Sequence, residues 1–217
     1  MIYSNTEYED TAPIGRVILN TNWGKSYYLS FETESYYNKL QEAYEDIKND
    51  KAPEYLYFAF VTLCSATLES SLNSILIDHC VNHFWANHYK EYAEKYIWRS
   101  IPVKLKLAPW RISNAKYQTN IRSHLLEKLL ALNTVRNKLL HHKEYLQEFE
   151  TSPINNTTNN GSLKFEIKTE KRAIDSLTKE LCLEFAEALL KFKSCLLDPA
   201  LRKGLQPNEL LNESTHI

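Results

Sequence analysis

The sequence predicts an all-α protein, a four-helix up-down bundle with a small β-hairpin and strand appendage. Two observations lead to this fold class. Apolar residues recur at helical spacing over several long segments. Runs that alternate or are rich in β-branched and aromatic residues are short and lie near the N-terminus and after residue 160. Only four of the 217 residues are glycine, which argues against glycine-rich phosphate-binding folds.

The composition is that of an ordinary soluble protein, with 26 Lys and Arg residues against 27 Asp and Glu residues. A net charge of -1 excludes a globally basic nucleic-acid coat but permits a local basic face. The four cysteines form no Cys-x-x-Cys pair and lie in apolar runs, so we expect reduced, buried thiols. No signal peptide opens the chain, and the apolar run 55–68 is too short to span a bilayer. These features favour a cytoplasmic protein without membrane contact.

The N-terminal residues 1–32 differ from the rest and are predicted to form the β appendage. The β-branched and aromatic runs 16–19 and 26–31 flank a polar segment that contains Gly24, a pattern typical of a β-hairpin.

Residues 33–198 are predicted to form the helical domain. Its first helix begins near Thr33, and the second, 53–84, is apolar on nearly every side over its first half, as a central buried helix is. A connection rich in basic and aromatic residues follows, broken by Pro102 and Pro109. The remaining helices are predicted at 121–149 and 172–197. They are separated by an Asn-rich loop and a short strand within 151–169, and the polar segment 199–217 is predicted to be a C-terminal tail.

The third predicted helix carries a cation among leucines. At about 100° per residue, Arg136 lies in the middle of an apolar stripe, formed by Leu125, Leu129, Leu132, Leu139 and Leu140. A guanidinium in that position needs a carboxylate, a phosphate or a wet interface. One interpretation is a structural ion pair with Glu69, the acid embedded in the apolar second helix.

The second interpretation includes the residues that follow. Arg136, Asn137 and His141 fall within two helical turns, and such a set can hold a phosphate through the guanidinium and move a proton through the imidazole. Asn137 and His141 are one turn apart, so the amide can orient the ring. Arg136 and His141 diverge by roughly 140° on one straight helix. A second copy across a two-fold axis relieves this problem, so the pattern favours a homodimer.

This Arg-Asn-x-x-x-His pattern on a late helix resembles the Arg-x(4–6)-His signature of the HEPN superfamily. The resemblance extends to the apolar helix around 60–73, where Glu69 corresponds to an embedded acid facing the arginine, and covers about 53–197. His142 also satisfies the permitted spacing, so either histidine fits the pattern. Glu69, His142 and Lys143 are the supporting residues of this predicted site.

The resemblance implies a HEPN-like four-helix bundle that acts as a metal-independent endoribonuclease, with its cleft shared by two chains. Such proteins commonly serve in toxin–antitoxin systems or phage defence, which adds a cognate antitoxin protein to the expected partners. The ribose 2′-hydroxyl would attack the adjacent phosphorus while Arg136 stabilises phosphate charge, His141 transfers a proton and Asn137 positions phosphate or ring. No cofactor is implied. The alternative is a non-catalytic HEPN-like module that binds nucleotide, RNA or a protein.

A second feature is independent of this family. The segment 90–122 holds eight basic residues against two acidic ones, and five Trp and Tyr residues are interleaved with them. Basic side chains among aromatic rings suit single-stranded nucleic acid, through phosphate attraction and base stacking. The RNA-binding residues predicted from this segment are Lys104, Lys106, Trp110 and Arg111. The other interpretation places the aromatic rings in the core and the lysines in a solvated rim.

His79 and His83, one helical turn apart and with His88 nearby, have the spacing of a metal-ligand pair. The pattern places no other metal-ligand residue type beside them, and surface or capping histidines explain the pair more simply. We therefore predict no metal site.

Overall fold

A computed structural model describes residues 15–20, 25–30, 32–83, 89–140 and 173–214 of the chain. The protein is mostly helical, with small antiparallel β pairings. Six α-helices lie in the described ranges, where the sequence predicted four. The two additional helices occupy the predicted connection between the second and third bundle helices.

The second helix, α2, is the centre of the molecule. It spans Tyr57–His83 and follows a 3₁₀ turn at Glu54–Leu56, which Pro53 precedes in an extended conformation. Residues on most of its sides are buried, and it packs against all five other α-helices. The predicted central helix is therefore confirmed, because a helix with apolar residues all round can be stable only where other elements cover every side.

Helices α1 and α6 cover one side of α2. Helix α1 is Thr33–Lys48, and α6 is Lys179–Phe192. The Tyr37 hydroxyl crosses between them and donates a hydrogen bond of 3.2 Å to the carbonyl of Leu189. Helix α6 begins at Thr178, whose hydroxyl accepts a hydrogen bond from the Leu181 N–H, and continues into π-helical turns at Lys193–Leu197 and Pro199–Lys203.

The segment predicted as an irregular connection forms two helices, α3 at Tyr89–Ile97 and α4 at Ile101–Ile112. Pro102 sits in the first turn of α4, where no N–H is needed. Pro109 lies in the last turns and cannot donate to the carbonyl of Leu105, four residues earlier. The Thr119 hydroxyl replaces that donor with a buried hydrogen bond of 2.7 Å to Leu105 O. Both prolines are thus compatible with a helix.

A short strand after α4, β3 at Tyr117–Thr119, pairs antiparallel with β4 at Leu211–Glu213. Leu210 and Leu211 are buried in the main hydrophobic core. The Asn208 side chain fixes this segment, since its Oδ1 accepts from the N–H groups of Leu210 and Leu211 and its Nδ2 donates to Cys195 O. The chain beyond 199 therefore differs from the polar tail that the sequence predicts.

The predicted N-terminal β pair is present. Strand β1, Gly15–Asn20, pairs antiparallel with β2, Lys25–Ser30, with Val17 opposite Tyr28. The predicted strand within 151–169 and the Asn-rich loop lie outside the described residues.

By length and hydropathy alone, the segment Glu54–His83 is able to cross a membrane. It is longer than the apolar run 55–68. In the structure, most of its most apolar window is buried against the other helices.

Candidate functional site

The fifth helix, α5 at His124–Leu140, carries the predicted site near its C-terminal end. Ser123 starts the helix, because its hydroxyl oxygen accepts hydrogen bonds from the N–H groups of Leu125 and Leu126. The first three turns bury leucines in the core, whereas Leu140 in the last turn is exposed. The apolar stripe of α5 is therefore buried over the first three turns and reaches solvent in the last turns, where Arg136 and Asn137 lie.

Arg136 is half-buried at this opening. Its Nη1 donates a hydrogen bond of 3.0 Å to the side-chain oxygen of the exposed Asn137. Among the described residues, no carboxylate forms an ion pair with Arg136. Within the described ranges, the guanidinium is thus held by a neutral amide, and this one bond uses only one of its five N–H donors.

Glu69, the predicted partner of Arg136, is engaged elsewhere. Its carboxylate accepts a hydrogen bond of 3.2 Å from Lys104 Nζ of α4. The Lys104 side chain is completely buried, and the Glu69 side chain is 44% exposed. The Arg136–Glu69 ion pair is therefore not formed, because the acid faces α4 rather than the end of α5.

His141, His142 and Lys143, the remaining members of the predicted site, lie outside the described residues. Their position relative to Arg136 and Asn137 stays a prediction. The described part of the site is therefore an arginine with its amide neighbour.

Neighbouring residues place Arg136 along the axis of α2. Helices α2 and α6 run parallel, because Cys64 lies beside Cys182 and Ser71 lies near Leu189 through the Tyr37 hydroxyl. Helix α5 runs the opposite way, since Leu125 near its start lies close to Glu209, and Glu209 pairs with Lys191 near the end of α6.

Lys128 shows where α5 lies along the common axis of α2 and α6, because its Nζ is 3.8 Å from the carboxylate of Glu184 in α6. Arg136 is eight residues further along α5, about 12 Å closer to the start of α2.

The predicted RNA-binding residues lie on α4. Lys106, Trp110 and Arg111 are exposed, whereas Lys104 is the buried partner of Glu69. The Arg111 guanidinium stacks over the Trp110 ring at 4.7 Å from its centroid and lies 6.0 Å from that of Tyr96. The structure thus brings three of the four residues to one surface and places the fourth in the core.

The two predicted groups of site residues are far apart. Helix α4 runs parallel to α2, from the Lys104–Glu69 pair to Arg111, which lies near His79. Arg136 is level with the first turn of α2, and Arg111 is level with its last turns. At 1.5 Å per residue, about 30 Å separates them along the axis of α2.

His79 is buried at the far end of α2, and its ring centroid lies 4.1 Å from that of His83. Burial, His83 and Arg111 together lower the pKa of His79 to about 4. The imidazole is therefore neutral near pH 7. No group of three potential metal-ligating side chains occurs within the part of the chain that the structure describes.

Two exposed apolar side chains in this segment are not among the predicted RNA-binding residues. Val103 is exposed on α4, and Trp98, at the α3–α4 junction, is 86% exposed. On a helix, Val103 lies on the same face as Lys106 and Trp110, so its spacing could have pointed to it. The spacing predicts this only if the segment is a helix, and Pro102 and Pro109 argue against a helix in the sequence alone. An open depression of about 320 Å³ lies at the start of α5, and Ile121, Leu126 and Leu130 line it together with none of the predicted site residues.

Comparison of the chain with protein-family models, curated proteins and solved structures gives no match.

Proposed function

We propose that this protein is a HEPN-like helical bundle that cleaves RNA without a metal ion, as a cytoplasmic homodimer. The observation that carries the proposal is the state of Arg136. A half-buried guanidinium held by an amide, with no acid pairing it among the described residues, is suited to bind an anion such as a phosphate. A guanidinium sealed against a carboxylate inside the monomer would have removed this possibility.

In the proposed reaction, the ribose 2′-hydroxyl attacks the adjacent phosphorus. The bond from phosphorus to the 5′-oxygen of the next nucleotide breaks, leaving a 2′,3′-cyclic phosphate and a free 5′-hydroxyl. Arg136 stabilises the additional negative charge on the phosphate oxygens. His141 transfers a proton, and Asn137 orients the Arg136 guanidinium, which it already contacts.

The homodimer follows from helix geometry. Positions 136 and 141 diverge by roughly 140° if α5 continues straight, so one chain presents Arg136 and His141 to different sides. Two chains related by a two-fold axis bring the arginine of one copy towards the histidine of the other. The exposed Leu140 at the end of α5 supports an interface there.

The test is RNA cleavage in the presence of EDTA by the full-length chain. We expect His141→Ala and Arg136→Ala to abolish cleavage while circular dichroism and thermal melting stay close to wild type. His124→Ala is a matched control, because His124 is exposed at the opposite end of α5 and its loss should leave cleavage unchanged. Undiminished cleavage by His141→Ala would remove His141 from the mechanism, and His142→Ala would then be tested in its place.

A toxin role predicts a growth phenotype. Wild-type protein should express poorly and slow host growth, and Arg136→Ala should relieve both effects. Co-expression of a cognate antitoxin protein should do the same without a change in the chain. Equal growth with wild type and Arg136→Ala would argue for phage defence or for a binding role instead.

The second candidate function is a non-catalytic RNA-binding module. The basic and aromatic surface of α4 favours it, because along the axis of α2 that surface lies about 15 to 30 Å from Arg136 and is able to bind RNA without it. This function predicts saturable RNA binding with no product and no effect of Arg136→Ala on the dissociation constant.

A further inference from the structure

Helix α4 has two different faces. Lys104, Leu105 and Ala108 are buried against α2 and β3, whereas Val103, Lys106 and Trp110 are exposed. The exposed residues are spaced by three and four positions, so they form one line along the helix. A solvent-facing helix surface is usually polar, and this one presents a tryptophan and a valine on either side of a lysine.

The aromatic rings on this surface are combined with cations. Trp110 is 38% exposed, and the Arg111 guanidinium stacks on it. A stacked guanidinium keeps its edge N–H groups available for phosphate oxygens. Trp98, three residues before α4 begins, is almost fully exposed. We call the exposed set the α4 strip, comprising Trp98, Val103, Lys106, Trp110 and Arg111.

The charge of the α4 strip selects one kind of partner. No Asp or Glu occurs between Lys95 and Leu126 in the sequence, and Arg99, Lys106, Arg111 and Lys116 are all exposed. A partner that matches this surface carries repeated negative charges and flat rings. Single-stranded nucleic acid has both, whereas a duplex hides its base faces.

The α4 strip also has a direction. Val103 is next to Lys104, which is level with Glu69, and Trp110 is next to Arg111, which is near His79. Measured along α2, the strip begins about 15 Å from the level of Arg136 and ends about 30 Å from it. Stacked nucleotides advance about 3.4 Å each, so about nine of them separate Trp110 from Arg136.

We propose that the α4 strip holds single-stranded RNA, and that the bound strand extends from Trp110 towards Arg136 of the same chain. Trp98 and Trp110 stack on bases, and Lys106 and Arg111 contact phosphates. The strip therefore sets a minimum substrate length of about nine nucleotides on one side of the scissile bond. This inference rests on the proposed function for its cleavage step alone, and the binding step is independent.

Binding is tested with a fluorescently labelled 14-nucleotide single-stranded RNA on the Arg136→Ala protein, which removes cleavage. Trp110→Ala should weaken binding about tenfold or more, as loss of one stacked base does. Lys106→Ala should weaken it less and make the dependence on salt shallower. Tyr55→Ala and Lys39→Ala are matched controls, because they remove an exposed aromatic ring and an exposed lysine from other helical elements and should change nothing.

Three further probes distinguish other occupants. A duplex RNA of the same sequence should bind more weakly and lose little affinity in Trp110→Ala. Poly-glutamate and vesicles of anionic lipid should show no Trp110-dependent binding. Trp110-dependent binding of any of these three probes, or equal binding of the single-stranded RNA by wild type and Trp110→Ala, would overturn the inference.

Length dependence is tested by cleavage of oligonucleotides that contain a single ribose among 2′-deoxy positions, with 2 to 14 nucleotides on each side of it. The cleavage rate should rise with length on one side and level off near nine nucleotides. Trp110→Ala should cleave long substrates as slowly as short ones. Trp110-dependent binding with no cleavage by wild type would contradict the proposed function and leave the strip in place. Cleavage by Trp110→Ala with the same length dependence as wild type would contradict the strip alone.

Discussion

His79 shows how one buried side chain can couple this fold to pH. It is only 8% exposed, and burial together with its neighbours His83 and Arg111 lowers its pKa from 6.5 to about 4. The unfolded chain binds a proton to this imidazole at a higher pH than the folded chain does. The contribution of neutral His79 to stability is therefore complete above pH 6.5 and is lost as the pH falls towards 4.

We expect the free energy of unfolding to fall between pH 7 and pH 4.5 by about 2–3 kcal/mol more in wild type than in His79→Gln. The glutamine is neutral throughout, so it removes the titration. Urea denaturation followed by tryptophan fluorescence measures the difference. His124→Ala, an exposed control, should keep the wild-type pH dependence. Identical pH dependence in His79→Gln and wild type would show that His79 does not titrate differently on folding.

The Thr119 hydroxyl supplies a hydrogen bond that helix α4 lacks because of Pro109. Pro109 leaves the carbonyl of Leu105 without its helical donor, and the Thr119 hydroxyl supplies one inside the core. Thr119→Val keeps the shape but leaves a buried carbonyl unpaired, so it should destabilise the protein by about 1–3 kcal/mol. Thr119→Ser retains the donor and should cost less. Chemical denaturation compares the two, and equal losses would mean that the methyl group, not the hydroxyl, matters here.

At the scale of elements, the contact between α2 and α4 contains a lysine where an apolar residue is usual. Lys104 is completely buried, and its described partner is the half-exposed Glu69 carboxylate. A buried charge is tolerated only while its partner is present. This pair ties the helix that carries the α4 strip to the central helix, so it matters for the surface as well as for stability.

Removal of one partner should therefore cost more than removal of both. We expect Glu69→Gln to destabilise the fold by about 1–3 kcal/mol, because it leaves the Lys104 ammonium unpaired. Lys104→Met should be closer to neutral, and the double variant should recover much of the loss. Thermal and urea denaturation of the three variants measure this. A Glu69→Gln protein as stable as wild type would mean that water already satisfies Lys104.

At the scale of the whole molecule, the segment around β4 packs into the core and pairs with β3. Leu210 and Leu211 enter the same core as α2, and β4 pairs with β3, about ninety residues earlier in sequence. This pairing places a C-terminal segment against the α4–β3 unit. The end of the chain thus contributes to the position of the α4 strip.

Leu211→Ala should lower the free energy of unfolding by about 2–4 kcal/mol, since it creates a cavity in the core. Ile121→Ala removes a large side chain that is mostly exposed and should cost far less. Chemical denaturation gives both values. Similar small losses in the two variants would contradict a core role for the C-terminal segment.

The sequence by itself determined the helical class, the central position of α2 and the N-terminal β pair. Apolar periodicity carries that information locally, since a helix that is apolar all round has to be covered on every side. The sequence also drew attention to Arg136, Asn137 and the basic segment, because cations among leucines or tryptophans need a specific partner.

Only the tertiary structure decided which charges meet. Periodicity shows which face of each helix is apolar but not which helix that face contacts. The sequence therefore allowed Glu69 to be paired with Arg136, whereas in the structure Glu69 pairs with Lys104. The same limit hid the burial of Lys104, because a lysine in a proline-broken basic segment looks solvent-exposed until the segment is packed as a helix. The separation of the α4 strip from Arg136 likewise arises from the opposite directions of α4 and α5 along α2, which no local pattern encodes.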